Sequence, residues 1–126
     1  MNCKTTFLTA MALGIFAATA ASADCKGSNG RGWGKGQGKG QFEMSAADKK
    51  CLISYPGFIY EAENRRVPAN EVKLTRAPKN GTISLSKDGL IYTPAAGFKG
   101  QDKFCTKNTA KGEKGSLSGC VTVTVK

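Results

Sequence analysis

Apolar and polar residues alternate in short runs over the last three-fifths of the chain. Val72-Lys73-Leu74-Thr75-Arg76-Ala77 has a clean period of two, as a strand buried on one face requires. Thr82-Ile83-Ser84-Leu85-Ser86 alternates again. Leu90 and Tyr92 point one way, while Ile91 and Thr93 point the other, and Pro94 closes that strand because it cannot donate to a ladder. Cys51–Ser54, Phe58–Glu61, Asp102–Lys107 and Gly119–Val125 complete the set, with Val121, Val123 and Val125 on one face. Turn formers separate the runs: Pro56-Gly57, Pro78-Lys79-Asn80-Gly81 and Lys87-Asp88-Gly89. Asn80-Gly81 supplies the positive φ angles of a tight hairpin, and Asp88-Gly89 marks a second turn. Only Ser45–Lys50 could form a helical turn. The pattern predicts an all-β domain over 51–126, a small antiparallel β-sandwich of about seven strands.

The first third reads differently. Lys4, an uncharged apolar stretch from Phe7 to Ala20 and the small-residue site Ala21-Ser22-Ala23 have the form of an export signal over 1–23, cleaved before Asp24. The apolar stretch is short of the ~20 residues a membrane span needs. Residues 27–40 then hold seven glycines, every second residue from Gly30 to Gly40. Glycine has the most backbone entropy to lose and no side chain to bury, so 24–50 is expected to be a flexible tail. The period-two spacing fits neither nucleotide-binding glycine fingerprint.

Charge sharpens the picture. The 126 residues carry 19 Lys+Arg against 9 Asp+Glu, a net +10. Lys26, Arg31, Lys35 and Lys39, with Trp33 available to stack, make the tail a candidate contact for polyanions: acidic polysaccharide, lipopolysaccharide or nucleic acid. With no histidine, the common catalytic triads and imidazole metal sites are excluded. Glu61 and Glu63, two residues apart beside Arg65 and Arg66, could imitate an acid/base pair, but on a surface strand they read as solvated charges. No catalytic residue, metal ligand or cofactor is predicted.

The leader would carry off one of the five cysteines. Four remain, an even number in a short exported chain, which points to two disulfides in a secreted or periplasmic protein. Their gaps do not fit the closely spaced pairs of a zinc site. Cys105 and Cys120 share the parity opposite to Phe104 and the valines and could meet across the last two strands, leaving Cys25 to pair with Cys51.

Residues 77–125 resemble one repeat of the bacterial cadherin-like and immunoglobulin-like (Ig-like) domains of surface adhesins. The likeness rests on Pro78, Asn80-Gly81-Thr82, Asp88-Gly89, Tyr92-Thr93-Pro94, Gly97-Phe98, Gly100, Asp102, Phe104 and the closing Val121-Thr122-Val123-Thr124-Val125. The resemblance implies a sandwich used for binding or adhesion rather than chemistry. In its Gly-x-Asp-x-Phe setting Asp102 is expected to accept backbone hydrogen bonds in a turn. Two functions follow as expectations: an exported, non-enzymatic binding module, or a secreted cationic antimicrobial or inhibitor-like protein. The latter lacks an amphipathic membrane-active segment.

Overall fold

The computed structural model describes residues 25–126; the expected leader over 1–23 lies outside the described residues. Ten strands occur among them: Lys26–Ser28 (β1), Gly38–Met44 (β2), Cys51–Ile53 (β3), Gly57–Tyr60 (β4), Arg65–Pro68 (β5), Glu71–Arg76 (β6), Gly81–Leu85 (β7), Leu90–Pro94 (β8), Gly100–Thr109 (β9) and Leu117–Val125 (β10). Two three-residue 3₁₀ turns, Trp33–Lys35 and Glu61–Glu63, are the only helical elements among the described residues, and Ser45–Lys50 forms turns without a helix.

The strands form three sheets. A five-stranded sheet runs β1-β2-β10-β9-β6, a three-stranded sheet runs β3-β8-β7, and β4 pairs with β5 as a separate hairpin. The expected antiparallel pairing holds throughout except at β2, which lies parallel to β10 from Gly38 opposite Gly119 to Met44 opposite Val125. The sheet is therefore mixed. Parallel neighbours need a long crossover, and here almost the whole domain separates β2 from β10.

That pairing overturns the expected flexible tail. Residues 38–44 alternate buried and exposed without a break, and Phe42 and Met44 belong to the core. One edge of β2 pairs with β10 along its whole length and the other with β1 over Gln41–Glu43, so this stretch is an inner strand of the sheet. Ordering the glycines costs entropy, and burial of Trp33, Phe42 and Met44 together with the strand ladder offsets it.

The inward faces of the two larger sheets contribute to one apolar cluster. Phe42, Phe104, Val121, Val123 and Val125 come from the first, and Cys51, Ile53, Leu90 and Tyr92 from the second. The Tyr92 and Phe104 rings are stacked with centroids 6.5 Å apart. Disulfides join Cys25 to Cys51 and Cys105 to Cys120. The first ties the residue before β1 to the first residue of β3, and so fastens one sheet to the other. The second crosses between directly opposed residues of β9 and β10.

The two predicted turns come out differently. Ser86–Gly89 closes the β7–β8 hairpin, with the Ser86 amide donating to the Gly89 carbonyl and the Ser86 hydroxyl accepting from the Gly89 amide. Pro78–Gly81 makes no hairpin: β6 pairs with β9 and β7 with β8, so this turn carries the chain between sheets. Asn80 does not take a positive φ. Asp102 holds the turn instead, accepting from the Lys79 and Asn80 amides, each at 2.9 Å. Strand β6 lies at the sheet edge, and Leu74, on the face expected to be buried, is 40% exposed.

Candidate functional site

Three separated segments meet around an open cleft of about 820 Å³: the glycine-rich loop 29–34, the β4–β5 hairpin, and the connection between β9 and β10. Each is held by contacts that can be traced to particular residues.

In the glycine-rich loop, the 3₁₀ turn Trp33–Lys35 is bracketed by Gly32 and Gly36, both left-handed at φ 95° and 75°. The Trp33 indole is 6% exposed, and its Nε1 donates to the Asn29 carbonyl at 2.6 Å. Asn29 in turn donates from Nδ2 to the Ser54 carbonyl at 2.7 Å. The indole lies against Gly38 so closely that a Cβ there would stand 2.2 Å from a ring carbon. Anchored in this way, the loop presents Arg31, exposed, at the rim.

The hairpin supplies Phe58, Ile59, Tyr60 and Arg66. Phe58 turns into the core, while Ile59, opposite Arg66 in the register, is 69% exposed. Arg66 donates from Nη2 to the Tyr55 carbonyl at 2.9 Å and lies over Gly57, where any Cβ would crowd the guanidinium. The Tyr60 hydroxyl donates to the Glu113 carboxylate and so clasps the hairpin to the β9–β10 connection. That hydrogen bond raises the phenol above its ordinary titration range, with burial adding to it and the nearby Arg65 opposing. Arg65 sits over the Tyr60 ring at 4.3 Å from its centroid and pairs with Glu63 at 3.0 Å.

The third segment contributes Lys114 and Leu117. Asn108, fully buried, braces it from below by donating to the Leu117 carbonyl and the Thr106 hydroxyl, both at 2.9 Å.

Three cations, Arg31, Arg66 and Lys114, therefore converge from three parts of the sequence, against Glu61 as the one carboxylate in the lining. No Ser, Thr, Cys or His lines the cleft. The arrangement suits an anionic group placed beside an apolar and aromatic wall.

The sequence-predicted contact residues do not form one patch. Arg31 and Trp33 border the cleft, but Trp33 is buried and has no free face for a ligand to stack on, which corrects that expectation. Lys35 is exposed on the 3₁₀ turn, and Lys26 and Lys39 stand on the outer side of the five-stranded sheet. Glu61 and Glu63 lie in a 3₁₀ turn rather than side by side on a strand. Arg66, Lys114 and Tyr60 carry no local signal that would have singled them out for binding: their role comes from loops meeting in space.

The chain matches no protein-family model and none of the curated proteins.

Proposed function

We propose that the protein is a small, non-enzymatic binding module of Ig-like sandwich architecture, exported behind a cleaved leader. Its cleft takes an anionic group of an envelope or extracellular polymer such as acidic polysaccharide or lipopolysaccharide. The two disulfides indicate an oxidising compartment outside the cytoplasm. No helix among the described residues is long and apolar enough to cross a membrane.

The strand orders support the Ig-like part of the reading. The order β3-β8-β7 has the connectivity of strands B, E and D of an immunoglobulin domain, and β6-β9-β10 that of C, F and G. In that frame β4 and β5 are an insertion between B and C. The cleft then lies among the B–C and F–G connections, the end at which immunoglobulin variable domains bind their ligands. Fold alone does not assign a role, so the binding proposal rests on the convergence of Arg31, Arg66 and Lys114.

The test is binding of lipopolysaccharide and short heparin fragments to the disulfide-bonded protein and to a variant with Arg31→Ala and Arg66→Ala. A loss of about tenfold or more at low salt supports the reading. Unchanged binding in that variant, or no binding by the parent protein, refutes it.

A further inference from the structure

The five-stranded sheet has an outer face that shares no residue with the cleft. Its register sets exposed side chains in rows across the strands. One row reads Gln41, Thr122, Lys103; the next reads Lys39, Cys120, Cys105, Arg76; the third reads Ser118, Lys107, Lys73. Five exposed cations, Lys39, Lys73, Arg76, Lys103 and Lys107, thus surround the Cys105–Cys120 disulfide, which forms a low floor between them. No carboxylate stands in these rows. Glu43 lies beyond one end, paired with Lys126 at 2.9 Å, and Glu71 beyond the other, accepting from the Thr109 hydroxyl.

Spacing bears on what such a face can hold. Neighbouring strands are about 4.8 Å apart and residues rise about 3.4 Å each along a strand. Lys39 and Arg76, three strands apart, are therefore separated by roughly 14 Å at the backbone, as are Lys103 and Lys107. Lys73 and Lys107 stand directly opposite each other between these limits, so the cations form one continuous field of that width, which suits a polymer with charges at intervals. Beside the cations lies a shallow groove of about 580 Å³ bordered by Gln41, Gln101, Thr122 and Thr124, whose amides and hydroxyls can hydrogen-bond in either direction, with Lys26 and Glu43 as one cation and one carboxylate at its far side. No aromatic side chain stands on these rows, so the stacking platform used for single-stranded nucleic acid is missing.

We propose that this face binds an extended acidic polysaccharide. The polymer's carboxylates or sulfates lie over the five cations, and its hydroxyls contact the glutamines and threonines of the groove. The proposal rests on the reading of the protein as a module for anionic polymers, but it uses a surface separate from the cleft and stands or falls by different residues.

The experiment compares long-chain polygalacturonate and long-chain heparin with their disaccharides, using the disulfide-bonded protein at about 50 mM salt. Long chains should bind at least tenfold more tightly than disaccharides, with affinity falling steeply as salt rises. Lys103→Glu with Lys107→Glu should cost at least tenfold, whereas Lys49→Glu with Lys87→Glu, an equal change of charge elsewhere, should cost less than twofold. The cleft variant with Arg31→Ala and Arg66→Ala should keep its affinity for the long chains. In the unsubstituted protein, amide resonances of 101–107 and 118–124 should shift as polymer is added. Equal losses from the two charge reversals would reduce the effect to net charge and overturn the proposal. So would duplex DNA binding as tightly with the same sensitivity to Lys103 and Lys107, or shifts confined to the cleft.

Discussion

The Tyr92 hydroxyl donates a 2.8 Å hydrogen bond to Oδ2 of Asp102, a carboxylate only 5% exposed. Tyr92 belongs to the three-stranded sheet and Asp102 to the five-stranded one, so the bond links the two. The same carboxylate accepts the Lys79, Asn80 and Lys103 amides, which makes it the organiser of the crossover between sheets. Replacing it with Asn would set an NH₂ group against one of these donors. We expect Asp102→Asn to cost about 2–3 kcal/mol and Tyr92→Phe about 1 kcal/mol, measured by chemical denaturation at neutral pH.

The same site sets a pH dependence. Burial alone would raise the Asp102 carboxyl, but the bonds from Tyr92, Lys79, Asn80 and Lys103 outweigh it and hold the group below the usual carboxylate range. In the unfolded chain an aspartate titrates near about 4. The stabilisation is therefore present above that value and is lost as pH falls from there through the lower folded value. As pH falls below about 4, the denaturation midpoint of the parent protein should drop more steeply than that of Asp102→Asn. Parallel curves would show that other groups govern the acid limb. Tyr92 acts in the opposite sense: burial, then the Asp102 bond, pushes its phenol above the ordinary range. Its contribution is complete below about pH 10 and declines above it.

Two glycines of the basic tract should respond oppositely to alanine. At Gly38 a Cβ would meet the Trp33 ring at 2.2 Å, and we expect Gly38→Ala to destabilise by about 1–3 kcal/mol. At Gly34 nothing lies within 4 Å and φ is not positive, so Gly34→Ala should be neutral or stabilise by up to about 1 kcal/mol. A thermal melt of each variant decides the matter, and equal effects would contradict the packing of Trp33 on Gly38.

Trp33 is the only tryptophan. Buried as it is, it should emit at short wavelength and resist quenching by iodide in the native protein. Both properties should disappear in a single transition with the rest of the fold on unfolding. Emission typical of a hydrated indole in native protein would return the glycine tract to the status of a loose arm.

The disulfides close loops of 15 and 26 residues. In the chain-entropy picture, Cys105→Ala with Cys120→Ala should cost about 3 kcal/mol and Cys25→Ala with Cys51→Ala slightly more. The second pair also empties a position in the core, because Cys51 is fully buried, so its measured loss should exceed the difference in loop length. Denaturant midpoints of the two double variants test that order.

The β character of residues 51–126 could be read directly from alternation, because β3, β8, β9 and β10 each bury one face and the side chains record it. The two-residue period at Leu90–Thr93 and Val121–Val125 corresponds to buried and less buried positions in the folded chain. Alternation was also present in the glycine tract, where Gly38 and Gly40 are inward and Lys39 and Gln41 outward, but glycine carries no hydrophobic signal to mark the buried side. Only Phe42 and Met44, at the far end, hinted at it.

The amino-acid order by itself determined the β periodicity, the excess of positive charge and a cysteine content suited to an oxidising compartment. These are properties of single residues and their near neighbours. Only the tertiary structure decided that the glycine segment is a strand, that it lies parallel to β10, and that Arg31, Arg66 and Lys114 face one cleft. The physical reason is that each of these depends on a partner far along the chain. Gly38 is an inward position because Trp33 and Gly119 close around it, and no local pattern encodes that meeting.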